Sequence, residues 1–258
     1  ARRSIISLRT EDCLRMPDRH ALADSSVSSP ASPQRWFDAA PLVPESNSRL
    51  YLIIEFVALF AGLPLLLFTQ RHTLEGMIAP TLLLLAAFCA AILWHDQAFD
   101  RSRLWNRSRF KRRLVRAIGY FIPGAAVIVV ALGVIRPDLL LTFPKAYPKV
   151  WIAIMVTYPF VSVYPQEVIF RAFLFHRYDA IFPRNWSKIV ASGAAFGLAH
   201  IIFANWVAPL MTAASGFWFA RTYSRTGSTL QVSIEHGIWG CFAFTIGLGW
   251  YIYSGAIG

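Results

Sequence analysis

Glu167 and Arg171, His200, and His236 lie inside stretches that are otherwise apolar: VTYPFVSVYPQEVIFRAFLF, ASGAAFGLAHIIFANW and LQVSIEHGIWGCFAFTIGLGW. An ionised side chain at bilayer depth costs roughly 2.5–3.5 kcal/mol on the mildest scale, so such residues mark sites more often than surfaces. A carboxylate, a guanidinium and two imidazoles are the ingredients of an acid/base centre or a metal site. Glu167 and Arg171 are four apart, hence on one helix face and able to pair. That pair also has a purely structural reading, because neither charge is stable alone in an apolar region. A lone buried histidine ordinarily just bonds a backbone carbonyl. Two at one depth, beside a glutamate, favour a shared site.

Depth can be read from the chain. At 1.5 Å per residue, Glu167 lies about 15 Å from the flank at Arg177, His200 about 18 Å from Lys188, and His236 about 12–15 Å from the turn at Arg225–Gly227. The three depths agree within about one helical turn. Glu235 points about 100° away from His236 around a helix. It either supports a neighbouring helix or enters the site. His176 lies nearer an interface, outside the site. Glu55, in the first apolar segment, has no evident partner. Tyr164 and Asn205 are candidate supporting donors, and the run FWFARTY reads as helix packing with an interfacial end.

The elements that must position these groups are long apolar helices. The chain has 258 residues, 56% of them hydrophobic and 15% charged, where soluble domains carry about a quarter charged residues. Apolar segments run from about Leu50 to Thr69, Met77 to Trp94, Ala117 to Ile135, Val150 to Phe175, Ile189 to Asn205, Trp206 to Tyr223 and Leu230 to Tyr253. Each is near the ~20 residues that span hydrocarbon. The expected fold class is therefore an all-α polytopic membrane protein with about seven transmembrane helices. Pro159 and Pro165 predict a kink or break in the fourth segment.

A net charge of +11 does not imply nucleic acid here, because the cations cluster at the ends of apolar segments, as the positive-inside rule expects. The loop carrying Arg101, Arg103, Arg107, Arg109, Lys111, Arg112, Arg113 and Arg116 is the expected cytoplasmic one. Counting spans from it places the N-terminus in the cytoplasm, and a polar cavity facing the same side is expected. Arg71, Arg136, Lys145 and Lys149 remain in the outer loops. Residues 1–48, rich in Ser, Pro and Arg, read as a disordered cytoplasmic tail. They do not read as a secretory signal; their Arg and Ser hint at a transit peptide, against which Glu11, Asp12 and Asp18 argue, and Met16 is a candidate true start. Residues 49–258 are expected to form a single membrane domain. Cys13, Cys89 and Cys241 lack metal spacing and imply no disulfide framework.

Residues 150–247 resemble the CPBP family, the CAAX-protease and bacteriocin-processing intramembrane proteases. Three motifs carry the likeness: Gln166-Glu167 followed by Arg171, Phe196 with His200 four later, and His236 after the turn RTGS. The resemblance implies a four-helix catalytic-type core in the C-terminal half and a bacterial inner or plasma membrane location. It also implies an endopeptidase in which the first Glu of a Glu-Glu pair and the second-motif His activate water. The third-motif His and an Asn four residues on stabilise the oxyanion.

Two positions depart from that pattern. Gln166 stands where the first Glu would be, and a carboxamide is no general base. Gly240 stands where the Asn would be. The expected roles are then Glu167 and His200 activating water, His236 on the oxyanion, Arg171 fixing Glu167, and Gln166 orienting water or substrate. Glu235 is the weaker substitute base. An older reading of the family makes Glu167, His200 and His236 ligands of zinc; metal and metal-free chemistry both stay open. The substrate or partner is a membrane-embedded or membrane-proximal peptide or protein. The alternative function is a non-catalytic protein of this fold that binds or scaffolds a membrane partner. A proton path is a third use of buried Glu and His, though the chain lacks the internal repeat common in transporters.

Overall fold

The structure, a computed structural model, describes residues 49–74 and 76–253. The tail expected over residues 1–48, with Cys13 and Met16, lies outside the described residues. Among the described residues every regular element is helical. The long helices are α1 (Arg49–Thr69), α2 (Ile78–His95), α3 (Phe110–Ile135), α4 (Pro148–Arg177), α5 (Asn185–Phe203), α6 (Val207–Thr226) and α7 (Thr229–Ile246).

The first five, α1 to α5, are long and apolar enough to cross a membrane. Val127, Val130 and Val134 on one face of α3, with Leu84 and Phe160, are exposed. Apolar faces of this kind suit hydrocarbon and would be a liability in water. α6 and α7, also expected as spans, fall outside that set by composition. The reason is their polar residues: α7 carries Gln231, Ser233, Glu235 and His236, all buried, and α6 carries Arg221 and Arg225 toward its end.

α4 does not break at its prolines. It runs on through both and relaxes into π-helical turns at Pro159–Val163 and Val168–Phe173. Proline removes a backbone donor and crowds the preceding turn. A π turn, with one more residue per turn, accommodates both effects and is frequent at functional sites. The second such turn begins just after Glu167 and contains Arg171.

α5 lies close along α6 because small residues face each other. A Cβ on Gly197 would come within 2.6 Å of Ala213 Cβ and 2.9 Å of the Pro209 carbonyl oxygen. Small residues spaced four apart permit such backbone approach, and Gly193 and Gly197 have that spacing. Gly197→Leu is expected to destabilise the protein by about 1–3 kcal/mol through overpacking. Gly119→Leu, which meets no neighbour, should barely shift thermal unfolding in the same detergent.

One end of the bundle is tied by charge and backbone contacts. Gly227, at φ +55°, ends α6 in the left-handed region, and Ser228 caps α7 by accepting from Gln231 N–H. Arg113 donates to the Thr226 carbonyl at 3.3 Å, and Ser228 to the Asn106 carbonyl at 2.7 Å. These bonds join the basic α2–α3 connection to the α6–α7 turn. His176 pairs with Asp96 at 2.7 Å, which ties the ends of α2 and α4. Glu55 is not alone after all: Arg177 grips it at 3.0 and 2.9 Å, and Tyr178 donates to it at 3.0 Å.

Candidate active site

Glu167 and Arg171 are both fully buried. Arg171 Nε stands 3.1 Å from Glu167 Oε2. The alignment is not that of a hydrogen bond, so this contact is coulombic. Arg171 Nη2 donates to the Gly216 carbonyl at 3.3 Å, and the guanidinium lies 4.5 Å from the Phe196 ring centre. The charge is thus held by a carboxylate, a carbonyl and an aromatic face. The α5–α6 contact at Gly216 makes this reach possible.

The other oxygen, Glu167 Oε1, faces His236 Nδ1 at 2.8 Å. A carboxylate accepts, so Nδ1 carries the proton. The opposite nitrogen, Nε2, is 3.1 Å from the Tyr158 hydroxyl. Phe219 stacks on the imidazole at 4.7 Å and an interplanar angle of 23°. His236 therefore has both nitrogens engaged and its ring plane set.

His200 is held differently. At the end of α5 the helix tightens to a 3₁₀ turn over His200–Phe203. Its Nδ1 lies 2.7 Å from the Phe196 carbonyl, and the ring packs on Phe196 at 4.7 Å. A carbonyl only accepts, so Nδ1 is protonated and Nε2 keeps its lone pair. Phe196 also touches His236 edge-on at 5.5 Å, so one aromatic ring spaces the two histidines.

Two cavities meet here. The larger, about 500 Å³, is lined by Tyr158, Phe196, His200, Phe219 and His236 among others. The smaller, about 310 Å³, is lined by Tyr158, Ser162, Gln166, Phe170 and His200 among others. His200 and Tyr158 border both. The single polar cavity expected from the sequence is instead a pair of largely apolar chambers with polar groups at their junction. Gln166 Nε2 donates to Ser162 Oγ at 2.7 Å, and its buried Oε1 has no partner among the described residues.

The structure thus brings Gln166, Glu167, Arg171, His200 and His236 into one region. Glu167, however, is fully buried and lines neither cavity. Glu235 does not join them. It accepts from Trp218 Nε1 at 2.7 Å and borders a separate recess with Arg113, Arg116, Arg221 and Arg225, as its 100° offset from His236 requires. Tyr164 stacks on Trp105, and Asn205 bonds backbone at Phe203, Tyr251 and Ala208. Both serve the scaffold. Tyr158 and Phe219 were missed. Tyr158 is 78 residues from His236, and no local spacing could have joined them. Phe219 sits in the run FWFARTY, whose residue types signal only helix packing.

The zinc reading does not fit. Among the described residues no three His, Cys, Asp or Glu side chains gather as metal ligands. The donors of Glu167 and His236 are spent on each other, Arg171 and Tyr158, which leaves His200 as a single available nitrogen. A catalytic zinc needs three.

Residues 148–242 match the family model described as Type II CAAX prenyl endopeptidase Rce1-like. No curated protein and no solved structure matches the chain. The match runs from the first residue of α4 into α7 and takes in Tyr158, Gln166, Glu167, Arg171, His200, His236 and Gly240. Residues 148–242 are therefore an Rce1-like domain of the CAAX-protease family, carried in an integral membrane protein whose α1 to α3 precede it.

Proposed function

We propose that this protein is an intramembrane endopeptidase that hydrolyses a peptide bond of a membrane-embedded or membrane-proximal substrate. One observation carries the reading: His200, its Nδ1 committed to the Phe196 carbonyl, borders both cavities, which leaves Nε2 as the nitrogen for a reaction there. Water held there gives a proton to Nε2 as its oxygen attacks the carbonyl carbon. The imidazolium then returns that proton to the leaving amine, so His200 is unchanged at the end. Gln166 Oε1 accepts from the same water and orients it. Glu167 acts through His236, fixing its tautomer and ring, and not as the base itself. Arg171 fixes the Glu167 carboxylate in position.

All seven long helices cross the membrane in this reading, with α4 to α7 as the catalytic-type core. At 1.5 Å per residue, the 20 residues of α6 and 18 of α7 cover roughly the ~30 Å of hydrocarbon. The end that carries the α2–α3 arginines faces the cytoplasm.

Gln166 favours a second reading, a non-catalytic scaffold of the same fold. Cleavage of quenched fluorescent peptides by purified protein in vesicles separates the two. The wild type is expected to cleave, and Gln166→Glu to cleave faster by adding a carboxylate beside the water. Cleavage by Gln166→Glu with none by the wild type would give the site to the scaffold.

A further inference from the structure

We infer that the Tyr158 phenol fills the space left by the missing side chain at position 240 and is the donor this site turns toward a substrate carbonyl oxygen. The inference rests on the hydrolytic reading and assigns within it a residue that neither motif nor spacing had marked.

The steric argument comes first. A Cβ built on Gly240 would collide with the Tyr158 Cε1, Cζ and hydroxyl oxygen. Only glycine at 240 lets the phenol lie across α7 there. Position 240 is four residues after His236, on the same helix face. The phenol therefore lies along that face, with its hydroxyl 3.1 Å from His236 Nε2. Phe244, one more turn on, meets the ring edge-on at 5.4 Å and 72°. The tyrosine is thus held at both its tip and its edge.

The chemical argument follows from proton positions. Nδ1–H of His236 is directed at Glu167, so a neutral ring accepts the phenol proton on Nε2. When a carbonyl oxygen enters the junction, the O–H turns from Nε2 toward it, and the proton stays on the phenol. No covalent bond is made or broken at Tyr158; only the direction of its O–H changes. His236 borders the larger cavity alone, whereas Tyr158 borders both. The hydroxyl, and not the ring nitrogen it covers, is what a carbonyl at the junction meets. In an apolar chamber a fixed donor aimed at developing negative charge is worth about 10²–10³ in rate.

Tyr158→Phe keeps the ring and removes only the O–H. It is expected to lower kcat by about 10²–10³-fold with KM little changed. Gly240→Asn alone places a side chain into the phenol and should be impaired. In the double variant Tyr158→Ala/Gly240→Asn the space is open and a carboxamide donor stands in it, so activity should recover above that of Tyr158→Ala. A packing role predicts no such rescue. Histidine ¹⁵N spectra give a readout that does not need turnover. The His236 Nε2 resonance should move in Tyr158→Phe and stay in Tyr164→Phe. An unchanged kcat in Tyr158→Phe overturns the donor role. If the wild type does not cleave, the hydrolytic reading and the donor role fall together. The resonance then decides whether the phenol sits on His236: a shift upholds that seat, and an unmoved signal overturns it.

Discussion

His200→Ala is expected to lower peptide cleavage by about 10²–10⁴-fold, the worth of a positioned general base, while the protein stays folded. The two histidines are not equivalent. His236 has Glu167 on one nitrogen and Tyr158 on the other. His200 spends one nitrogen on the Phe196 carbonyl and keeps the other at the cavity junction. Loss of the side chain costs the fold one hydrogen bond, about 1 kcal/mol net, and the 3₁₀ turn of His200–Phe203 keeps its backbone. His176→Ala is the matched control, because that ring is partnered by Asp96 outside the site. Unaltered cleavage by purified His200→Ala in vesicles would remove the proposed mechanism. Equal losses in both variants would point to folding instead.

The largest effect on stability is expected from Arg171→Met, about 3–5 kcal/mol, the range seen when one partner of a buried pair is removed. Arg171 is fully enclosed, and its loss leaves the buried Glu167 carboxyl with only His236 beside it. The Gly216 carbonyl and the Phe196 face would lose their cation as well. Two comparisons isolate the cause. Glu167→Gln/Arg171→Met removes both charges and should recover part of the loss, because replacement of a whole buried pair is far milder than breaking it. Arg177→Met breaks a pair that keeps some exposure at both partners and should cost less. Thermal unfolding in one detergent measures all three. An Arg171→Met midpoint no lower than that of Arg177→Met would show that the buried charge is not what holds α4, α5 and α6 together.

Much of this site was legible because it belongs to single helices. The Glu167–Arg171 pair follows from a spacing of four, and the estimate of a common depth agrees with the 2.8 Å contact of Glu167 with His236. The divergence of Glu235 from His236 follows from 100° per residue. The turn at Gly227 and Ser228 reads from its residue types. What escaped were partners across helix interfaces. Glu55 meets Arg177 at a separation of 122 residues. Length alone makes α6 and α7 expected spans, but their polar residues leave them outside the five helices apolar enough to cross a membrane.

The sequence alone determined the elements: helix lengths, the charge at their ends, the depth of each polar residue and which residues share a face. All of these depend on the geometry of one helix, which 1.5 Å and 100° per residue specify without reference to a neighbour. Tertiary structure decided which faces meet. That depends on the rotation of each helix about its own axis, and the rotation is set by contacts such as Gly197 against Ala213 and Gly240 against Tyr158. Those contacts withdrew Glu167 from the cavity, left His200 as the imidazole with a nitrogen unpaired among the described residues, and placed a tyrosine where the sequence showed only a missing side chain.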